Sequence, residues 1–143
     1  MIDDVRRFMA AADCTTDEFN VRQTALYIGL QLEEMAEKIG SILGDGDRLV
    51  IQLDTDSLDF KSGVYDKKVS LACRKELLDA DIDLMWVTIG SVLSQGADIH
   101  GAIAEVNRSN ASKMVDGKLQ KDANGKVTKG PSFSSPDLTP FVK

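Results

Sequence analysis

Between residues 17 and 43, the apolar positions Ala25, Ile28, Leu32, Met35, Ile39 and Leu43 recur at steps of three and four. That spacing places them on one face of an α-helix. Thr15-x-x-Glu18 fits a capping box for its start, with a break near Asn20 as the alternative, and Gly44-Asp45-Gly46-Asp47 stops it. Val5, Phe8 and Met9 share one side of a short helix over the first ten to twelve residues. A second long helix is predicted over Val69–Leu93; apolar on almost every side, its centre belongs at the middle of an assembly. Gly96 ends it, and Asp98 caps a further helix whose Ile99, Ala102, Ile103 and Val106 define one face.

The stretch from Arg48 to Tyr65 has no such period. It reads either as a long loop with a brief extended piece at Leu49-Val50-Ile51 or as another short helix. A loop spanning 44–68 in a compact domain would suit a substrate lid or an oligomer contact. Helices joined by short connections pack antiparallel, so the expected fold is all-α, a four-helix-bundle-like core with an extended C-terminal tail. Residues 1–113 form the helical domain. Residues 114–143 form a basic, turn-rich tail marked by Asp116-Gly117, Asn124-Gly125 and Lys129-Gly130-Pro131, packing on the same domain or on a neighbouring subunit. Apolar faces this long in a small chain point to a homodimer or homotetramer.

Charge divides the chain. Residues 1–107 hold 20 acids and 10 bases, whereas residues 108–129 hold six bases, Arg108, Lys113, Lys118, Lys121, Lys126 and Lys129, against Asp116 and Asp122. The overall charge of -6 argues against a stable nucleic-acid partner. An acidic body with a basic segment suits a polyphosphate held between metals and lysines, or equally a solvated tail. Cys14 and Cys73 lack metal-ligand spacing and read as free thiols in a reducing cytoplasm. Met1-Ile2-Asp3-Asp4 lacks the order of a signal peptide, and the apolar run Leu84–Gly90 is too short to span a bilayer, so no membrane association is expected.

The candidate chemistry lies in two sets of acids. On a helix, Glu33 and Glu37 stand about 40° apart and Glu34 about 60° from Glu37, so three carboxylates share one sector. A solvated face accounts for them as readily as a cation site. On the second long helix, Glu76, Asp79 and Asp83 share a sector, and Asp83 directly precedes Leu84-Met85-Trp86-Val87, where an unpaired charge is expensive to bury. Coordination of a hard cation, Mg²⁺ or Mn²⁺, would meet that cost. Asp81 points elsewhere, and His100 reads as a lone surface or packing residue.

With these residues in place, the chain resembles the all-α nucleotide pyrophosphohydrolases, the superfamily of MazG, dimeric dUTPase and phosphoribosyl-ATP pyrophosphohydrolase. Glu33-Glu34-Met35-Ala36-Glu37 is similar to the first half of their signature. The second half, an E-x-x-D pair, is incomplete, because Asp83 matches the aspartate but Ala80 stands at the glutamate position. Asp83–Gly90, Glu105–Lys113, Asp116-Gly117-Lys118, Gly125-Lys126, Lys129-Gly130 and Pro136-Asp137 look like later stretches of bacterial and phage members, and the resemblance covers most of residues 20–138.

The resemblance implies a metal-dependent pyrophosphohydrolase in the cytoplasm, or the host cytoplasm for a phage-encoded chain. It would cleave a nucleoside triphosphate, a purine deoxynucleotide such as dGTP or dATP ahead of dUTP, to the monophosphate and pyrophosphate. It implies Mg²⁺, or Mn²⁺ in its place, on Glu33, Glu34, Glu37 and Asp83, with Asp79 or Glu76 as compensators for Ala80. Glu34, Glu37 and Asp83 take the catalytic roles, and Arg108, Asn110, Lys113, Lys118, Lys126 and Lys129 meet the substrate. Trp86 or Tyr27 could contact a base, although both read first as core residues. The alternatives are a non-catalytic nucleotide-binding or structural oligomer, a phosphoribosyl-ATP pyrophosphohydrolase and a dUTPase.

Overall fold

The computed structural model describes residues 1–123 and 125–142. It is all-α, as the periodicity predicts: α1 (Ile2–Ala11), α2 (Val21–Leu43), α3 (Arg48–Ser62), α4 (Arg74–Ser94) and α5 (Ile99–Ala111), with 3-10 turns at Leu71–Cys73 and Thr139–Phe141. Among the described residues there is no strand, only isolated bridges pairing Val115 with Lys118 and Lys121 with Val127. No helix of the described chain is long and apolar enough to cross a membrane.

Two compact units divide the chain. One is a helical hairpin, residues 17–71 with 123–126. The other contains residues 1–16, 72–122 and 127–143. The tail expected at 114–143 is therefore shared between the units, with Lys126 belonging to the hairpin.

The hairpin is built on a seam of small residues. Ala25, Gly29, Ala36 and Gly40 are buried along α2, and Val50, Ser57 and Lys61 are buried along α3. The backbones approach closely at Gly29, where an added Cβ would lie 2.8 Å from Lys61 Cγ and 2.9 Å from the Ser57 carbonyl oxygen. Ser57, a residue 1% exposed, donates from its Oγ to the Gly29 carbonyl at 2.8 Å, so this buried hydroxyl is satisfied across the seam. Met35 and Leu43, expected on the inner face, are exposed, because the close seam rotates α2 toward its small residues.

Helix ends follow local chemistry. α2 begins at Val21, with Asn20 Oδ1 accepting from the Gln23 amide at 2.9 Å, which corrects the Thr15 capping box: the nearer side-chain acceptor takes the free amide. Gly44 ends it as expected. The stretch 48–62 is a 15-residue helix, not a loop, capped by Asp47 on the Leu49 amide at 2.8 Å and ended by Gly63 at φ 90°. Arg22 closes this end by donating to the carbonyls of Phe60 (2.9 Å) and Lys61 and pairing with Asp66 at 3.2 Å. A guanidinium there satisfies carbonyls that α3 cannot bond internally.

In the other unit α1 packs on α5, where Asn107 Nδ2 donates to Asp4 Oδ2 at 3.1 Å and the Leu119 amide reaches the Ala11 carbonyl at 2.9 Å. Asp98 caps α5 by accepting from the His100 and Gly101 amides, both 3.1 Å, as its position predicts. Asp116 and Gly117, at φ 50° and 76°, form a two-residue turn between Val115 and Lys118, which exchange hydrogen bonds of 2.8 and 3.0 Å. The turn expected at Asn124-Gly125 lies partly outside the described residues; Gly125 has φ 86°.

The second long helix starts later than its pattern suggests, at Arg74, after the 3-10 turn. Its centre is not buried within the chain. No residue of α4 is buried, and Ile82, Met85, Val87 and Ile89 are exposed, with Trp86 80% exposed. Trp86 is thus not a core residue of the single chain. A helix apolar on all sides cannot cover itself, and its neighbour α5 covers only a small part of it.

The close seam generates one prediction. Gly29→Ala places a methyl against backbone as well as side chain, so despite its better helix propensity it should destabilise the hairpin by about 1–3 kcal/mol. Gly46→Ala, with nothing within 4 Å of the new methyl, should stay within about 0.5 kcal/mol. Urea unfolding followed by circular dichroism measures both, and equal midpoints would contradict a tight seam.

Candidate acidic and basic site

Helix α2 presents its acids on a regular helical backbone. Glu34 and Glu37 are exposed, while Glu33 is partly covered. What covers it is basic. Lys126 Nζ donates to Glu33 Oε1 at 2.6 Å, and Lys61 Nζ stands 3.4 Å from Oε2. Lys126 lies 93 positions along the chain from Glu33, so this contact joins the acidic helix face to the basic tail.

Lys61 reaches Glu33 because Gly29, one turn earlier on α2, leaves space for the lysine stem. The Lys61 residue is only 8% exposed, and a buried ammonium requires a counter-charge. Gly125 brings the next residue into place. Its positive φ suits a residue without a side chain, and a Cβ there would touch Leu26 Cδ2 at 3.6 Å. Burial opposes ionisation of Glu33, but the hydrogen bond and charge of Lys126, with the charge of Lys61, outweigh it and hold the carboxyl below its usual range.

Glu33 and Lys126 stand out in the sequence, whereas Lys61 does not. Its signal was hidden because the helix carrying it lacks an apolar stripe: two of its buried positions are Ser57 and Lys61.

The remaining acids lie on α4. Glu76, Asp79 and Asp83 are all exposed. The expected burial of Asp83 beside its apolar neighbours is therefore not found within the chain, since those neighbours are themselves exposed. Within either unit, and among the described residues, no three His, Cys, Asp or Glu side chains gather as a metal-holding group. Cys14 and Cys73 are free thiols, as expected.

Comparison with protein-family models, curated proteins and solved structures finds no match.

The predicted substrate-binding residues are distributed over both units. Arg108 forms a two-point ion pair with Glu105, Nε to Oε2 at 2.8 Å and Nη2 to Oε1 at 2.7 Å, and also donates to the Ser135 carbonyl at 3.1 Å. Glu105 Oε1 accepts from the Asp137 amide at 2.9 Å, and Ser112 Oγ accepts from the Ser134 amide at 2.9 Å. These contacts attach the 134–137 segment to α5. Lys113 Nζ lies 6.0 Å from the Phe8 ring centroid and 5.9 Å from that of Phe133, while Lys129 Nζ stands 4.8 Å from the Phe133 centroid. Asn110 is half-buried near the end of α5, and Lys118 is exposed directly after the two-residue turn.

Glu105 supplies a pH test. The Arg108 hydrogen bonds and then the Asp137 amide lower its pKa from 4.5 to about 2. A lowered folded-state pKa means that the contribution is present above the unfolded value and is lost as pH falls through the folded one. The Asp137 amide proton, followed by NMR, should therefore titrate with a midpoint near 2 and stay bonded at pH 4; a midpoint near 4.5 would show that the attachment is absent.

Proposed function

We propose that this chain is a metal-dependent nucleoside triphosphate pyrophosphohydrolase acting on a purine deoxynucleotide such as dGTP or dATP. The observation that carries the reading is the meeting of Lys126 with the acidic face of α2, since a metal-bound polyphosphate requires carboxylates for the cation and ammonium groups for the phosphates. The resemblance of Glu33–Glu37, Asp83–Gly90 and Glu105–Lys113 to the pyrophosphohydrolases supports the same reaction.

The residues present suit a hard cation. Glu34 and Glu37 are three positions apart on one helix and both exposed, and Mg²⁺ is commonly held by one or two carboxylates with water and substrate phosphates completing the shell. Mn²⁺ would bind the same oxygens. When bound, the ion supplies a more acidic water and offsets phosphate charge. Asp83 is proposed as a further ligand, with Asp79 or Glu76 as substitutes for the absent glutamate at Ala80; those assignments rest on sequence.

Glu34 is the residue proposed to orient the attacking water. Water adds to the α-phosphorus as its proton passes to the Glu34 carboxylate, the bond to the bridging oxygen breaks, and pyrophosphate leaves with its charge offset by lysines. Lys126 is the best supported of these, and Arg108, Asn110, Lys113, Lys118 and Lys129 are proposed to share the work. The exposed apolar surface of α4 supports assembly as a homodimer or homotetramer, because water contact with Ile82, Met85, Trp86 and Val87 is unfavourable.

Purified protein incubated with a panel of deoxynucleoside and nucleoside triphosphates plus phosphoribosyl-ATP, in Mg²⁺ and then Mn²⁺, should release pyrophosphate and a monophosphate. Glu34→Gln and Asp83→Asn should each reduce turnover about 10²-fold or more. No turnover across the panel would replace the enzyme with a nucleotide-binding or structural oligomer, whose motivation is Ala80.

In sedimentation, the wild type should run as a dimer or larger and Trp86→Glu should shift toward monomer, since a charge at an apolar interface is left unpaired. A monomeric wild type at micromolar concentration would remove the assembly from the account.

A further inference from the structure

We propose that Glu33 is a positioning residue, not a cation ligand: it latches Lys126 beside Glu34 and Glu37 and so sets where a phosphate chain can lie on the hairpin. The inference rests on the pyrophosphohydrolase reading for its substrate and on the hairpin geometry for the latch.

Three observations converge. Both oxygens of Glu33 are engaged by ammonium groups, Oε1 by Lys126 at 2.6 Å and Oε2 by Lys61 at 3.4 Å. The Lys61 side chain is about one-tenth exposed, so transferring Glu33 to a metal would leave a buried cation without this counter-charge, a costly exchange. The local backbone also favours the contact: Gly29 makes room for the Lys61 stem, and Gly125, at φ 86°, lies against Leu26 and delivers Lys126 to the acid.

The arrangement divides labour within an apparently uniform acid triplet. Glu34 and Glu37 stay exposed on α2. Glu33 faces the seam and holds a cationic side chain from the tail. Lys126 pairs with Glu33 while its side chain is two-fifths exposed, so a phosphate oxygen can approach its ammonium group from solvent with the latch in place. A lysine held at one end in this way loses less freedom on binding than a fully solvated one.

The test compares Glu33→Gln, Glu34→Gln and Lys126→Met. In Glu33→Gln the latch opens, and trypsin should cleave after Lys126 about fivefold faster than in wild type. Mn²⁺ affinity, read from the electron paramagnetic resonance signal of free Mn²⁺, should stay within about twofold, whereas Glu34→Gln should lose about tenfold or more.

Should circular dichroism show that Glu33→Gln unfolds the hairpin, Lys126→Met keeps the Glu33–Lys61 pair and decides instead. It should speed cleavage at the flanking Lys121 and Lys129 about fivefold and raise nucleotide KM about tenfold with kcat within about threefold. Unchanged cleavage in a folded variant overturns the latch, and a Mn²⁺ loss in Glu33→Gln equal to that of Glu34→Gln makes Glu33 a ligand. A wild type that binds no Mn²⁺ and turns over no nucleotide counts against the enzymatic reading alone, because cleavage still decides the latch.

Discussion

Glu33 lies between two ammonium groups, and much of the hairpin is arranged to make that possible. A lysine that is nearly buried needs an opposite charge within a few ångströms, or it must be neutralised or expelled. Lys61 meets this need on α2, but only because α2 carries glycine where the lysine stem crosses it. The small seam, the close approach of α2 and α3 and the cross-helix bond from Ser57 belong to the same solution. Lys126 completes it from a distant part of the sequence, turning an internal ion pair into a three-group cluster at the edge of an exposed acidic face.

The parts of the fold that were legible are those where one physical signal dominates. α1 and α5 form as helices where their apolar spacing places them, although Val5 and Val106 of the expected faces are exposed; Asp98 caps where a capping residue stands, Gly44 caps the end of α2, and Gly96 follows the end of α4 at positive φ. α3 was ambiguous for a definite reason. Its buried stripe runs through Val50, Ser57 and Lys61, so two of three buried positions are polar and the hydrophobic period disappears. Packing against small residues, with a hydroxyl and an ammonium satisfied across the seam, overrides that pattern.

The candidate site was partly legible in the same sense. Spacing identifies Glu33, Glu34 and Glu37 as neighbours on one helix, but it cannot assign them different partners. That difference depends on rotation: the residue turned toward the seam meets lysines, while the two turned away stay exposed. Asp83 illustrates the opposite limit. Its apolar neighbours suggest burial, yet α4 exposes them all within the chain, because nothing in a local sequence says which surface will cover a helix that is apolar on every side. Arg108, Lys113 and Lys129 likewise have structural partners, Glu105, Phe8 and Phe133 among them, that no charge count reveals.

The central claim is that the exposed carboxylates of α2 hold a divalent cation at a place fixed by this hairpin. Titration of isotopically labelled protein with substoichiometric Mn²⁺, following paramagnetic broadening of each backbone amide by NMR, tests it most directly. Broadening should be strongest at Glu34 and Glu37 and fall away toward both ends of α2. Broadening centred elsewhere, or spread evenly over the acidic residues of the chain, would contradict the account.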